Sequence, residues 1–320
     1  MRQREWTKLK AMVAKLTFAQ RRALKEELVA ENDAAVCVEV IETGRRLDRC
    51  PHCRSESVVR NGSANGLQRH KCRGCRRTFN ALTGAPLARL RQKPKWLAQA
   101  EALRDGTAIR QVATRPKVAR STAFRWRHRF LALPKTVQAQ ALMGIAEADE
   151  TFFLHSRKGQ RQLDRKSRRR GGRAAKRDLS KEQVPVLVAR DRSGATANII
   201  LAADGKADLV TALKPLLPSD TIVCTDGSSV LAAAIKEIGV THRPVNAAAG
   251  CRVIAGVCHI QNVNAFDSRF KNWIRRFHGV ATKYLDSYLG WFRALDGSAS
   301  AAVPPPSLLG LALGVQPILS

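Results

Sequence analysis

Apolar residues recur at helical spacing at the start of the chain. One apolar face is formed by Trp6, Leu9, Met12, Val13 and Leu16. Thr17 followed by Gln20 has the pattern of a capping box, which begins a second helix. Residues 1–43 are therefore predicted to form a helical hairpin that serves for packing or for dimer formation.

Three further helices are predicted within residues 94–133. A short second helix, a basic turn and a third helix make the pattern of a helix-turn-helix, whose last helix enters the DNA major groove. The side chains expected to face DNA are Ser121, Thr122, Arg125, Arg127 and Arg129. A plain helical linker is the alternative, because many three-helix bundles share this pattern.

The pattern changes near residue 144, where strands begin to alternate with helices. Strands are predicted at 145–153, 184–189, 196–201, 221–225 and 241–245, with 191–194 as the hairpin turn between the second and third. Helices are predicted at 206–217, 229–238 and 259–277. This order gives an α/β domain over residues 144–295, with a mixed sheet and helices on its faces.

The segment 259–273 is predicted to be a helix that carries a polar stripe beside an apolar one. Its apolar side is formed by Ile260, Val263, Phe266, Phe270 and the following Ile274. Asn264 and Lys271 lie two helical turns apart, and Asp267 lies between them on the same face. Such a helix presents two or three polar groups to a site while its other side docks on a core.

Four cysteines form two Cys-x-x-Cys pairs, Cys50 with Cys53 and Cys72 with Cys75, and 18 residues separate the inner two. This spacing is typical of one structural zinc ion held by four thiolates, so residues 44–85 are predicted to form a zinc ribbon. Disulfide bonds or idle thiols are the alternative. The other cysteines are expected to be core residues: Cys37, Cys224, Cys251 and Cys258.

The chain is strongly basic, with 56 Lys and Arg against 26 Asp and Glu and a formal net charge of +30. Nucleic acid is the polyanion that best explains this excess. A membrane surface is a weaker explanation, because no apolar run approaches the roughly 20 residues that span a bilayer. A basic protein without such a partner is the remaining alternative.

Positive charge is densest in residues 157–177, which contain Arg168, Arg169 and Arg170. A run of this kind does not bury itself, so it is predicted to be an inserted loop that grips a DNA backbone. An incidental solvated loop or a targeting patch is the alternative. Residues 296–320 are expected to form a disordered tail. The first residues lack a signal peptide pattern, so a cytoplasmic, nucleoid-associated protein is expected.

Two carboxylates occupy comparable places in the predicted α/β domain. Asp149 lies toward the end of its first strand, and Asp226 follows another strand directly, before Gly227. Carboxylates at adjacent strand ends, opposite a helix with polar groups, are how proteins hold Mg²⁺ for phosphoryl transfer. The two aspartates are therefore predicted to be magnesium ligands.

These features together resemble the bacterial insertion-sequence transposases of the ISXO type, which have a zinc ribbon and a ribonuclease-H-like core with a DD(E/N)K signature. The motifs that carry the resemblance are Glu147-Ala-Asp149-Glu-Thr151-Phe, Thr225-Asp226-Gly227-Ser228, His259-Ile-Gln-Asn-Val-Asn264 with Lys271 seven residues on, and the basic stretch 275–285. They cover the chain from about Cys50 to Arg293.

The resemblance implies a role for each matching residue. Asp149 and Asp226 would be the first two catalytic acids, Asn264 would take the third place, and Lys271 would contact DNA near the scissile phosphate. It implies two catalytic Mg²⁺ ions and hydrolysis at the ends of a mobile element. Attack of the freed 3′-hydroxyl on target DNA would follow. The partners would be the terminal repeats and target DNA, bound by a homodimer or a larger assembly, with no membrane.

Alternatives remain open for the third ligand and for the function. Asn264 offers a carbonyl oxygen but no charge, so Asp267 one turn along is the second candidate. Glu147 shares the strand face of Asp149 and is a candidate supporting group, whereas Glu150 is a weaker one. The chain could also be a zinc-ribbon transcription regulator, a metal-dependent nuclease that does not join strands, or a decayed copy of a transposase.

Overall fold

The structure is a computed structural model that describes residues 3–45, 47–163, 166, 172, 174, 182–203, 205–246, 250, 252–296 and 303–315, without the side chains of 29–32. The chain divides into two compact units. The first contains residues 1–103, 112–130 and 304–320, and the second contains residues 104–111 and 131–303. In the described part of the chain, no helix is long and apolar enough to cross a bilayer.

The first unit begins with two helices, α1 at Gln3–Ala14 and α2 at Phe18–Gly44. The predicted capping box is confirmed. The backbone N–H of Gln20 donates to the hydroxyl of Thr17 at 3.3 Å, and the Thr17 N–H donates to the Gln20 side chain at 3.0 Å. α2 runs to Gly44, and its later turns bury Cys37 and Ile41 completely.

A small antiparallel sheet follows, made of β1 at Val58–Ala64, β2 at Leu67–Cys72 and β3 at Thr78–Phe79. Asn65 and Gly66 join β1 to β2 with φ angles of 54° and 77°. This left-handed backbone suits asparagine and glycine, and it closes β1 and β2 into a hairpin with a two-residue turn. The hairpin brings Cys72 opposite Val58, so the second cysteine pair lies beside the first.

Three helices occupy the region predicted as a helix-turn-helix: α3 at Trp96–Arg104, α4 at Ile109–Val112 and α5 at Arg120–Phe130. α4 has only four residues, and residues 104–111 belong to the second unit while α5 belongs to the first. The four-residue α4 buries only Val112, and the helix-turn-helix over residues 94–133 stays a prediction.

The second unit is built on a five-stranded mixed sheet. Its strands are β4 at Ile145–Leu154, β5 at Gln183–Asp191, β6 at Thr196–Ile200, β7 at Ile222–Thr225 and β8 at Thr241–Pro244. They lie in the order β6-β5-β4-β7-β8. β4, β5 and β6 pair antiparallel, whereas β7 and β8 run parallel to β4. The predicted α/β class and mixed sheet are confirmed.

Helices cover both faces of this sheet: α6 at Lys206–Leu213, α7 at Ser229–Ile238, α8 at Gln261–Arg275 and α9 at Leu285–Asp296. Ala146 and Ala148 of β4 belong to a core cluster with residues of α6 and α7. The intervening β4 residues point to the opposite face, where the ring of Phe153 lies 5.5 Å from that of Phe270 in α8. α8 and α9 meet there through Phe266, Phe270, Trp273, Tyr288, Trp291 and Phe292.

The prediction of a disordered tail over 296–320 is wrong for its central part. A helix, α10, spans Pro305–Leu313 and buries Leu308, Leu309 and Leu313. The prolines at its start are compatible with a helix because the first N–H groups have no intrahelical partner. The guanidinium of Arg45 donates to the Leu313 carbonyl at 3.0 Å, which fixes the end of α10 within the first unit.

Candidate active site and metal centre

The sheet brings Asp149 and Asp226 to one edge. β4 and β7 run parallel, and Glu147 lies opposite Cys224 in their register. Asp149 is two residues beyond Glu147, and Asp226 is two residues beyond Cys224. Asp149 lies within β4 and Asp226 directly after β7, so this register places the two carboxylates next to each other, close enough for their charges to interact. Asp226 leaves β7 through Gly227, whose φ of 87° favours glycine.

Each of these carboxylates is oriented by a neighbouring backbone amide. The N–H of Glu150 donates to Oδ1 of Asp149 at 2.8 Å, and the N–H of Ser228 donates to Oδ1 of Asp226 at 2.9 Å. Burial raises the pKa of Asp149 to about 6. The charge of Asp226 raises this pKa further, whereas the Glu150 N–H and the Lys271 ammonium lower it. Asp149, Asp226 and Lys271 thus interact electrostatically at one site.

The polar stripe of α8 contributes two exposed groups and one buried group. Asn264 and Lys271 are exposed, whereas Asp267 is only 6% exposed. Burial raises the pKa of Asp267 to about 7, and the charge of Asp149 raises it as well. Lys271 and the Thr151 hydroxyl act in the opposite direction. The helix therefore buries Asp267 close enough to Asp149 for the two charges to interact, while Asn264 stays exposed.

This set of oxygens suits a hard cation. Carboxylates and amide carbonyls are the ligands that Mg²⁺ takes in phosphoryl-transfer sites. Oδ1 of Asp267 is buried without a hydrogen bond partner among the described residues, so it is an oxygen that a cation could use. Asp149, Asp226 and Asp267 could hold such an ion, and Asn264 could add a neutral oxygen from the same helix face.

A cavity of about 860 Å³ adjoins this site and includes Lys271 in its wall. Its basic wall residues are Arg157, Lys158, Lys271 and Arg275. None of the described residues that line it is acidic. Its floor is apolar and includes Phe152, Ile274 and Leu285. A basic cavity with an apolar floor suits a phosphodiester strand with its bases.

The four cysteines of the ribbon form a metal centre in the first unit. Their sulfur atoms all lie within 4.8 Å of one another. The Sγ atoms of Cys50 and Cys75 are 3.6 Å apart, as are those of Cys53 and Cys72. Tetrahedral zinc with Zn–S bonds of about 2.3 Å requires sulfur separations of about 3.8 Å. The Cys75 N–H lowers the pKa of Cys72 to about 6, whereas the neighbouring thiols raise the pKa of Cys53 to about 11, so the four thiols interact closely. The group could therefore bind one zinc ion.

The predicted DNA-facing residues of α5 divide between two faces. Ser121, Arg125 and Arg129 are exposed, and Thr122 is half-buried. Arg127 is 1% exposed, so its proposed contact with DNA is wrong. It lies on the buried face of α5 with Ala123, Trp126 and Phe130, because these positions are three or four residues apart. The remaining predicted DNA contacts, Arg168, Arg169 and Arg170, lie outside the described residues.

Two residues of the site were not singled out for the roles that the structure gives them. Arg192 was predicted only as part of the β5–β6 turn, yet its guanidinium pairs with the buried Glu147. Thr151 lies two residues beyond Asp149 on β4 and faces Asp267. The period of two along a strand could have placed Thr151 on the same face as Asp149. No local pattern could have paired Arg192 with Glu147.

The second unit resembles a known family of transposase domains. Residues 141–293 match the family model of the ISXO2-like transposase domain. The chain is also 29% identical over 248 residues to an uncharacterized protein in transposable element ISH50 of Halobacterium salinarum. That match covers 76% of this chain and 83% of the relative. The resemblance to ISXO-type transposases is confirmed.

Two solved structures show a weak likeness. One is the simian T-cell lymphotropic virus intasome in complex with PP2A regulatory subunit B56 gamma, at a TM-score of 0.28 and 10% identity over 61% of this chain and 66% of that one. The other is a pre-cleavage Mos1 transpososome, at a TM-score of 0.26 and 13% identity over 67% of this chain and 74% of that one. At these TM-scores neither likeness supports a conclusion about this protein.

Proposed function

We propose that this chain, whose residues 141–293 match the family model of the ISXO2-like transposase domain, cuts the ends of an insertion sequence and joins them to target DNA. One observation carries the proposal. Asp149, Asp226, Asp267 and Lys271 converge at one sheet edge, and the pKa values of Asp149 and Asp267 are raised there. Raised carboxyl pKa values in a cleft are typical of catalytic sites.

The topology of the second unit supports the proposal. Numbered within this sheet, the strands lie in the order 3-2-1-4-5, with the first three antiparallel and the last two parallel to the first. This is the arrangement expected of a ribonuclease-H-like core. It places the first carboxylate on the central strand β4 and the second at the end of the neighbouring strand β7.

Each residue of the site has a separate task in the proposed reaction. Asp149 and Asp226 hold divalent metal ions, which we propose to be two Mg²⁺. Such ions, when bound, activate the attacking oxygen and stabilise the leaving one. Asn264 or Asp267 supplies the third side chain. Lys271 lies in the wall of the basic cavity, where its ammonium can bind the phosphate next to the scissile bond.

The remaining parts of the chain are proposed to bind DNA. The zinc ribbon carries Arg60, Arg69, Lys71, Arg73, Arg76 and Arg77, and zinc would stabilise its small core. The exposed face of α5, with Arg125 and Arg129, is the second proposed contact, in the manner of a recognition helix. Two element ends must be held together in transposition, so we propose a homodimer or a larger assembly on DNA.

A strand-transfer assay tests the function. The full chain is incubated with Mg²⁺, a target plasmid and DNA that ends in the inverted repeats flanking its own gene. We expect cleavage at the repeats and joining of the 3′ ends to the plasmid, both detected by sequencing. Cleavage without joining would indicate a nuclease that does not join strands. Specific binding without cleavage would indicate a regulator and would contradict the proposal.

A further inference from the structure

Glu147 is a buried carboxylate that the proposed chemistry does not use. It lies on β4 two residues before Asp149, on the same face of the strand, and its side chain is 0% exposed. A carboxylate removed from water is unfavourable unless other groups compensate its charge. The groups that compensate it come from two other parts of the second unit.

The first of these groups is the start of α8. Oε2 of Glu147 accepts the backbone N–H of Val263 at 2.9 Å, across 116 residues of sequence. Val263 is the third residue of α8, and its N–H is one of those without an intrahelical partner. The residue at the cap position, Ile260, provides no side-chain hydrogen bond. Glu147 therefore caps α8 from the sheet, where the helix dipole also favours a negative charge.

The second group is the guanidinium of Arg192, in the turn between β5 and β6. Its Nη1 donates to Oε1 of Glu147, and its Nη2 donates to the carbonyl of Val257 at 2.8 Å. Nη1 also lies 3.1 Å from Nδ1 of His259. The same Nδ1 lies 3.3 Å from the backbone N of Gln261 and 3.2 Å from Oε1 of Glu147, so the His259 ring belongs to this cluster.

Together these contacts tie three segments to one carboxylate. Glu147 belongs to the strand that carries Asp149. Val263, whose N–H it holds, directly precedes Asn264. Arg192 contacts the segment directly before α8 through Val257 and His259. A movement of the start of α8 relative to β4 would therefore break contacts to Glu147.

We propose that Glu147 and Arg192 are positioning residues that hold the start of α8, and with it Asn264, at a fixed place beside Asp149. The inference rests on the proposed function. Asn264 has no charge to attract a cation from a distance, so its oxygen contributes only if it is correctly placed. A misplacement of about 1 Å can reduce a rate on the order of 100-fold. A fixed helix start would compensate for the missing charge.

The test compares Glu147→Gln and Arg192→Lys with a matched control in the same unit. Glu147→Gln keeps an acceptor for the Val263 N–H but removes the charge that holds Arg192. Glu237→Gln makes the same substitution in an exposed pair, Lys206 with Glu237, and serves as the control. Hydrogen exchange at the amides of Val263 and Asn264 is measured on the full chain, together with DNA affinity and the single-turnover cleavage rate.

In both test variants we expect at least tenfold faster exchange at Val263 and Asn264 and at least tenfold slower cleavage, with DNA affinity within twofold of the wild type. The double variant should cleave no more slowly than the slower single variant, because both substitutions release the same helix start. The control should match the wild type in every measurement.

Two outcomes would overturn the inference. Unchanged exchange at Val263 in either folded variant would show that Glu147 and Arg192 do not hold the helix start. Faster exchange with an unchanged cleavage rate would show a purely structural role. If the wild-type chain does not cleave DNA, the proposed function fails, and the positioning of Asn264 for catalysis fails with it. The exchange measurement would still decide whether the pair restrains α8, so the two failures are distinguishable.

Discussion

Replacing Asp267 with asparagine should stabilise the second unit at alkaline pH and leave it unchanged in acid. Asp267 is 6% exposed, and burial raises its pKa from 3.8 to about 7. Between about pH 4 and pH 7 the folded chain keeps a proton that the unfolded chain has lost. The free energy of unfolding therefore falls as the pH rises through this window. The amide of the Asp267→Asn variant does not titrate, so the free energy of unfolding of the variant should not fall in this window.

The size of the effect follows from the pKa difference. A tenfold change in acidity constant corresponds to about 1.4 kcal/mol, so a shift from 3.8 to about 7 corresponds to at most about 4 kcal/mol. This maximum applies at pH 8, where Asp267 would be charged in both states. At pH 4 the folded wild type already carries a neutral side chain, and the difference should vanish.

Urea unfolding at a series of pH values measures the difference. Hydrogen exchange of peptides from Gln261–Arg275 reports on α8 rather than on the whole chain. Asp220→Asn, an exposed position in the same unit, is the matched control and should behave like the wild type. If Asp267→Asn were no more stable than the wild type at pH 8, the account of its burial would be wrong. Added Mg²⁺ should stabilise only the wild type if Asp267 is a ligand.

Three further comparisons test other parts of the chain. Cys72→Ser, or strong chelation, should unfold the ribbon and weaken DNA binding without changing hydrogen exchange in α8; unchanged binding in a fluorescence anisotropy titration would count against a bound zinc ion. Leu309→Ala in α10 should lower the free energy of unfolding in urea by about 2–5 kcal/mol, whereas Leu28→Ala, at an exposed position, should change it little. Equal effects of the two substitutions would favour a disordered tail. Arg125→Ala should weaken DNA binding and reduce the number of counterions released on binding, read from the salt dependence of the affinity, by about one. Arg127→Ala should instead lower the melting temperature. The reverse pattern would contradict the assignment of the two faces of α5.

Features set by neighbouring residues could be predicted from the sequence. The capping box of Thr17 and Gln20 and the turn from Asp191 to Gly194 both form as expected, because their hydrogen bonds join residues three or four positions apart. The alternation along β4 likewise predicts which of its residues share a face. These patterns were enough to place Asp149 on a strand of a mixed sheet and Asp226 directly after another strand.

Features set by distant contacts could not be predicted in this way. The helix after Pro304 was missed because a proline run indicates disorder, and only packing in the first unit makes Leu309 a core residue. Arg127 was assigned to DNA because of its charge alone. The helical period places it on the buried face of α5 beside Trp126. The pairing of Glu147 with the start of α8 spans 116 residues and has no local signal.

The central claim is that Asp149 and Asp226 form the catalytic centre. It is tested most directly by the cleavage rate of Asp149→Asn and Asp226→Asn on DNA with the terminal repeats in Mg²⁺, beside Asp220→Asn as control. We predict that both variants bind this DNA with the wild-type affinity and that their cleavage is undetectable, while the control cleaves normally. Cleavage at the wild-type rate by either variant would contradict the claim.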